Sequence, residues 1–171
     1  MELLFEHFKY DTELEKQRNL FEECFPENIG TDVVKKEHYL WKFRSHFFTP
    51  SSYEYVAKDD AGEIIGYYAA IPYWYRIGGV ETPVGMVCDV MTGVKARGKG
   101  VFTKLGEYST QQLKDAGIPF TTGYPIRKEV IPGHLKVGWK QVFALPLYIR
   151  VIKADNFPIF KRWRWITRLI N

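Results

Sequence analysis

The chain has 171 residues, 46% hydrophobic and 26% charged, the proportions of a soluble globular protein with room for one sizeable core. Cys24 and Cys88 are too few for a disulfide framework and give no metal spacing. No apolar run approaches a membrane span, and Glu2, Glu6 and His7 interrupt any signal-peptide core. The net charge of +4 comes from one end: residues 150–171 hold six basic side chains against Asp155, which leaves the remainder at −1 and removes the main support for nucleic-acid binding.

Leu3 to Tyr10 alternates loosely and reads as a first strand. Asp11 or Thr12 can cap a helix over 13–24, with Leu14, Leu20, Phe21 and Cys24 on its apolar face. Pro26 to Gly30 breaks that helix, and a second spans 34–46. Strands over 53–58 and 63–75 flank Asp59-Asp60-Ala61-Gly62, a hairpin signal. Gly78-Gly79 then turns the chain into a long strand over 80–92, with a bend expected near Pro83 and Gly85. A helix over 100–115 ends at Gly117 and Pro119, a strand covers 120–123, and a helix follows over 128–136. Residues 139–151 carry one or two strands interrupted at Pro146. The order implies an α/β (α+β) fold with helices on both faces of the sheet.

The stretch richest in chemistry is Val90 to Phe102, where an apolar strand breaks into a basic, glycine-rich turn that opens a helix. The first turn of a helix has unpaired N–H groups and a partial positive charge, so such a turn favours an anion, above all a diphosphate. Gly98 and Gly100 clear side chains from the backbone, while Arg97 and Lys99 add charge. Gly93 to Lys99 nearly spells the nucleotide-binding P-loop, but Gly100 stands where that motif needs a metal-binding hydroxyl. The dinucleotide fingerprint fails at Thr103, where its third glycine belongs.

Arg97-Gly98-Lys99-Gly100 resembles the Arg-x-x-Gly-x-Gly/Ala signature of the GNAT N-acetyltransferases, and His134-Leu135-Lys136-Val137-Gly138-Trp139 is similar to that family's Tyr-x-Lys-x-Gly-Phe ending of the fourth helix. The resemblance covers residues 1–152 and implies a mixed, mostly antiparallel twisted sheet with acetyl-CoA as co-substrate. It implies that Val90, Met91 and Thr92 line the pantetheine arm through the backbone of Val90 and Thr92. The amides from Gly98 to Phe102 would hold the pyrophosphate, with Gly100 and Val101 among them and Arg97 and Lys99 assisting. The chain departs from the pattern in three places. Phe102 replaces a Gly or Ala, no Asn stands near Ile126-Arg127, and His134 replaces the Tyr that reprotonates the leaving thiolate.

Acetyl transfer needs a neutral amine, a stabilised oxyanion and a proton for the thiolate. Asp89, beside the pantetheine strand, is the candidate base, and His134 the candidate acid; a structural carboxylate and a packed histidine are the plain alternatives. The expected reaction is direct attack by a primary amine of a small molecule in a ternary complex, with the aromatic clusters at Tyr67-Tyr68, Tyr73-Trp74-Tyr75 and the C-terminal segment leaning toward a sugar or other ring as acceptor. A coenzyme A-binding regulatory module, or an aminoacyl or peptidyl transferase, is the rival reading. The expected setting is cytoplasmic, without metal, as a monomer or homodimer. Residues 153–171 read as a basic amphipathic helix, with Trp163 on its apolar face, that packs on protein or touches a membrane interface.

Overall fold

The computed structural model describes residues 2–146 and 148. Residues up to Trp139 form one compact unit; a second begins at Lys140, and its described residues carry no regular secondary structure. The expected basic helix over 153–171 lies outside the described residues. The expected strand over 139–151 is absent from 139–146, where Pro146 lacks the amide a ladder needs, and 147 and 149–151 lie outside the described residues.

Five strands lie side by side in chain order: β1 (Leu4–His7), β2 (Tyr53–Lys58), β3 (Ile64–Ile77), β4 (Val80–Thr92) and β5 (Phe120–Gly123). The first three junctions are antiparallel and the β4–β5 junction is parallel. Helices α1 (Tyr10–Cys24) and α2 (Lys36–Arg44) cover one face, where Leu20, Phe21, Tyr39, Phe43, Tyr67 and Ile71 form one core. Helix α3 (Val101–Asp115) covers the other, packing Val101, Leu105 and Leu113 on Tyr55, Ala57 and Tyr68. Gly66 permits this approach, since a Cβ there would stand 3.1 Å from both Leu105 and Val101. Helix α4 (Ile131–Lys136) follows β5. Helices on both faces and a mostly antiparallel sheet match the expected fold class.

Several boundaries move for physical reasons. Helix α1 begins at Tyr10 rather than 13, because Glu13 reaches back to accept from the Lys9 amide at 2.7 Å and Tyr10 stacks on Tyr39; Asp11 and Thr12 are inside the helix, not its cap. A 3-10 turn, Asp32–Val34, capped by Thr31, precedes α2. The expected helix over 128–136 splits into a 3-10 turn, Lys128–Val130, and α4, with Pro132 in the first turn of α4. The Asp59 hairpin forms as expected, with its carboxylate accepting from the Ala61 and Glu63 amides and Gly62 at φ 75°.

The irregularity in β4 does not fall at Pro83 or Gly85, which pair in register with Trp74 and Pro72. It falls between Cys88 and Met91: three steps on β4 oppose two on β3, from Ala69 to Tyr67. This is a β-bulge, and Asp89 occupies it at φ 47°, a left-handed conformation that Asp tolerates better than most residues. The bulge turns Asp89 toward α2 beside Cys88, which already packs on the α1 side.

Candidate functional site

Strand β4 keeps β5 as a partner only as far as Val87, opposite Gly123. From Cys88 to Thr92 its β5 side has no ladder partner among the described residues, which leaves backbone groups available for an extended, amide-rich ligand. A cleft of about 730 Å³ opens there, lined on β4 by Val90, Met91 and Thr92 and across the glycine turn by Arg97, Gly98, Gly100, Val101 and Phe102. Cys24 and Phe25 close one wall, and Arg127, Glu129, Val130 and Gly133 the other. Eight of the nine expected cofactor residues are thus brought together. Lys99 is not among the lining residues; it is exposed beside them.

The turn itself is built to leave donors uncommitted. Gly98 and Gly100 adopt φ 75° and 77°, and a Cβ on either would meet nothing within 4 Å. The glycines therefore answer a conformational need, not an internal packing one. Gly100 caps α3, and the amides of Gly98, Gly100, Val101, Phe102 and Thr103 have no backbone acceptor among the described residues; Lys104, on the Gly100 carbonyl, is the first helical amide that does. Free donors at the positive end of a 15-residue helix favour an anion there. The buried hydroxyl of Thr92, also without a partner among the described residues, faces the same requirement for a ligand or water.

Two expected contacts change. The Thr92 carbonyl already accepts from Arg97 Nε at 3.3 Å and from the Cys24 thiol at 3.5 Å, so Arg97 holds the strand end as well as facing the cleft. The outer wall is tied shut by Arg127, which donates to the Cys24 carbonyl at 3.1 Å and to Glu27, with its guanidinium 4.7 Å over the Phe25 ring.

Asp89 and His134 flank this cleft without lining it. The Asp89 carboxylate is 14% exposed and accepts from Lys42 Nζ at 2.7 Å. His134 sits between Phe102 and Trp139, with ring centroids 5.1 and 4.7 Å away, and its burial lowers its pKa below the ordinary 6.5. Cys88 lies between Met86 and the bulge, and burial pushes its thiol up to about 12.

One feature of the neighbourhood was not legible as a site. Glu54, on β2, is buried and accepts from Arg44 Nη1 at 2.6 Å, from the Tyr39 hydroxyl at 2.6 Å, from Ser52 Oγ at 2.7 Å and from the Tyr67 hydroxyl. This network fixes α2, and with it Lys42, against the sheet. Buried charge is retained there because every lone pair finds a donor. Among the described residues no group of three or more His, Cys, Asp or Glu could hold a metal, and no helix is long and apolar enough to cross a membrane.

A family model described as an acetyltransferase (GNAT) domain matches residues 9–142. Solved structures share the fold at low identity. A putative acetyl transferase from Pyrococcus furiosus has a TM-score of 0.68 at 16% identity, over 88% of this chain and 100% of the other. Glucosamine-6-phosphate N-acetyltransferase from Arabidopsis thaliana gives 0.63 at 15%, over 88% and 100%. AAC(6')-Iy, solved with the bisubstrate analog CoA-S-monomethyl-acetylneamine, gives 0.67 at 16%, over 88% and 99%. No protein of curated function matches the sequence.

Proposed function

The chain belongs to the GNAT acetyltransferase domain family, and from that footing we propose that it moves an acetyl group from acetyl-CoA to a primary amine of a small molecule in a ternary complex. The observation that carries the reading is the junction of β4 and α3. Strand backbone without a β5 partner, from Cys88 to Thr92, leads into the uncommitted amides of Gly98, Gly100, Val101 and Phe102. An extended amide arm ending in a diphosphate needs those two features in that order.

In this reading the amine nitrogen attacks the thioester carbonyl carbon, the C–S bond breaks, the thiolate leaves, and the nitrogen, cationic after attack, sheds its second proton to water to give the amide. Asp89 takes the proton that the ammonium must lose before attack, and Lys42 holds the carboxylate in place. His134 gives a proton to the departing thiolate; because burial disfavours its charged form, it is a strong donor that is loaded for little of the time at neutral pH. No acyl-enzyme is involved, which suits the suppressed Cys88 thiol.

A second reading, a coenzyme A-binding module with little turnover, draws on the same two residues: Asp89 is tied to Lys42, and His134 is packed between rings. Titration calorimetry with acetyl-CoA, followed by free-thiol release across an amine panel, separates the readings. Absence of affinity at millimolar acetyl-CoA removes both. Binding without turnover, unchanged in Asp89→Ala and His134→Phe, leaves the module.

A further inference from the structure

The acetyl-transfer reading leaves a second cleft unused. It has a volume of about 650 Å³ and is lined by Tyr73, Trp74, Tyr75, Arg76, Met86 and Tyr124. Ladder partners project to the same side of a sheet, so the pairs Tyr73–Val84, Tyr75–Thr82 and Ile71–Met86 place Tyr73, Tyr75 and Met86 on the face turned toward α1 and α2. Cys88 and Asp89 lie on that same face. Met86 precedes Val90, the first β4 residue of the cofactor cleft, by four positions, which is about 13 Å of strand. Tyr124 directly follows Gly123, the last β5 residue paired with β4. The two clefts therefore lie along β4 on either side of Cys88.

The second cleft is a stacking surface held in place from behind. The Tyr73 ring meets His46 at 5.7 Å and Phe48 at 6.5 Å, and Trp74 meets Phe48 at 6.1 Å. Trp74 remains 60% exposed and Tyr124 52%, a costly presentation of aromatic surface for a face with nothing to receive. The hydroxyl of Thr122, opposite Met86, is buried without a partner among the described residues. Among the described residues no carboxylate lines the cleft, and the cation there, Arg76, is paired with Glu81 at 3.2 Å. A linear polyamine would bring several ammonium groups with no carboxylate to meet them, and a phosphorylated acceptor would find its cation engaged. A six-membered ring with an apolar face matches what is present: aromatic faces for its body and phenol hydroxyls for its polar groups.

We propose that this trough seats the acceptor, and that the acceptor is a primary amine carried on a six-membered ring, with the amine directed toward Cys88. The chemistry of the amine rests on the acetyl-transfer reading; the ring specificity rests on the trough. Titration calorimetry on protein saturated with coenzyme A, using glucosamine, 2-phenylethylamine and 1,4-diaminobutane, tests it. At least one ring amine binds on the order of ten-fold more tightly than the chain amine, and which ring does so identifies a saturated hydroxylated or an aromatic source. The double variant Tyr75→Leu/Tyr124→Ala loses that preference while its coenzyme A affinity stays unchanged, and Tyr75→Phe keeps it. Equal affinity for all three amines, no binding of either ring, or a double variant that binds like the parent overturns the proposal. Lack of coenzyme A affinity in the parent instead overturns the acetyl-transfer reading, and the same titration without coenzyme A still decides the trough.

Discussion

The carboxylate of Asp89 and the ammonium of Lys42 meet at 2.7 Å across the face that the β4 bulge creates, joining the strand to α2. Asp89→Asn keeps the shape and removes the proton acceptor. The expected result is a loss of kcat of about 10²-fold with the KM for acetyl-CoA unchanged, read by thiol release. Asp89→Val, by contrast, places a β-branched side chain at φ 47° and lowers stability by about 1–3 kcal/mol, read by urea denaturation.

The glycine turn separates binding from folding. Ala at Gly98 or Gly100 meets no atom within 4 Å but must hold a left-handed conformation, so each variant loses about 1 kcal/mol of stability. Its methyl group also stands in the path of a diphosphate. Coenzyme A affinity in calorimetry falls by at least about ten-fold, and the loss for Lys99→Ala, outside the cleft lining, is the smaller.

Burial lowers the pKa of His134 from its ordinary 6.5, so below that value the unfolded chain binds the proton that the folded chain resists. Stability contributed by this site is intact above about pH 6.5 and falls as pH drops from there toward the folded pKa. Urea denaturation at acidic and neutral pH shows the slope, and His134→Phe, which fills the space between Phe102 and Trp139, reduces it. His38, also lowered by burial, leaves a residual slope.

A thiol held near 12 is almost entirely protonated at pH 8. Iodoacetamide therefore modifies Cys88 in the folded protein far more slowly than in the urea-unfolded chain, measured by mass spectrometry of the peptide. Incubation with acetyl-CoA alone adds no acetyl group to the chain, as a ternary-complex reaction requires.

Much of the sheet was readable. Strands 53–58, 80–92 and 120–123 have the expected bounds, because alternation and turn residues mark both ends of each. The bulge was not, because Pro83 and Gly85 carry the stronger irregularity signals. Gly85 in fact serves close packing, with a Cβ there 3.4 Å from Ala70 and Ile118, whereas Asp89 has no local mark that separates it from an ordinary strand residue. Glu54 hid for a related reason. A glutamate in an alternating strand reads as solvent-facing, and only Arg44, brought in from α2, makes its burial tolerable. The aromatic residues were visible as a cluster. Their assembly with Tyr124 depends on the parallel β4–β5 junction, which joins segments more than thirty positions apart.

Cys88 and Met91, three positions apart, both serve the core beneath α1, whereas an uninterrupted pleat would send them to opposite sides. Removing Asp89 would leave Cys88 and Met91 two positions apart, so an ordinary pleat would keep both on the α1 side and Val90 under α3. What the inserted residue contributes is an acid facing α2, gained while every neighbour keeps its own side of the sheet.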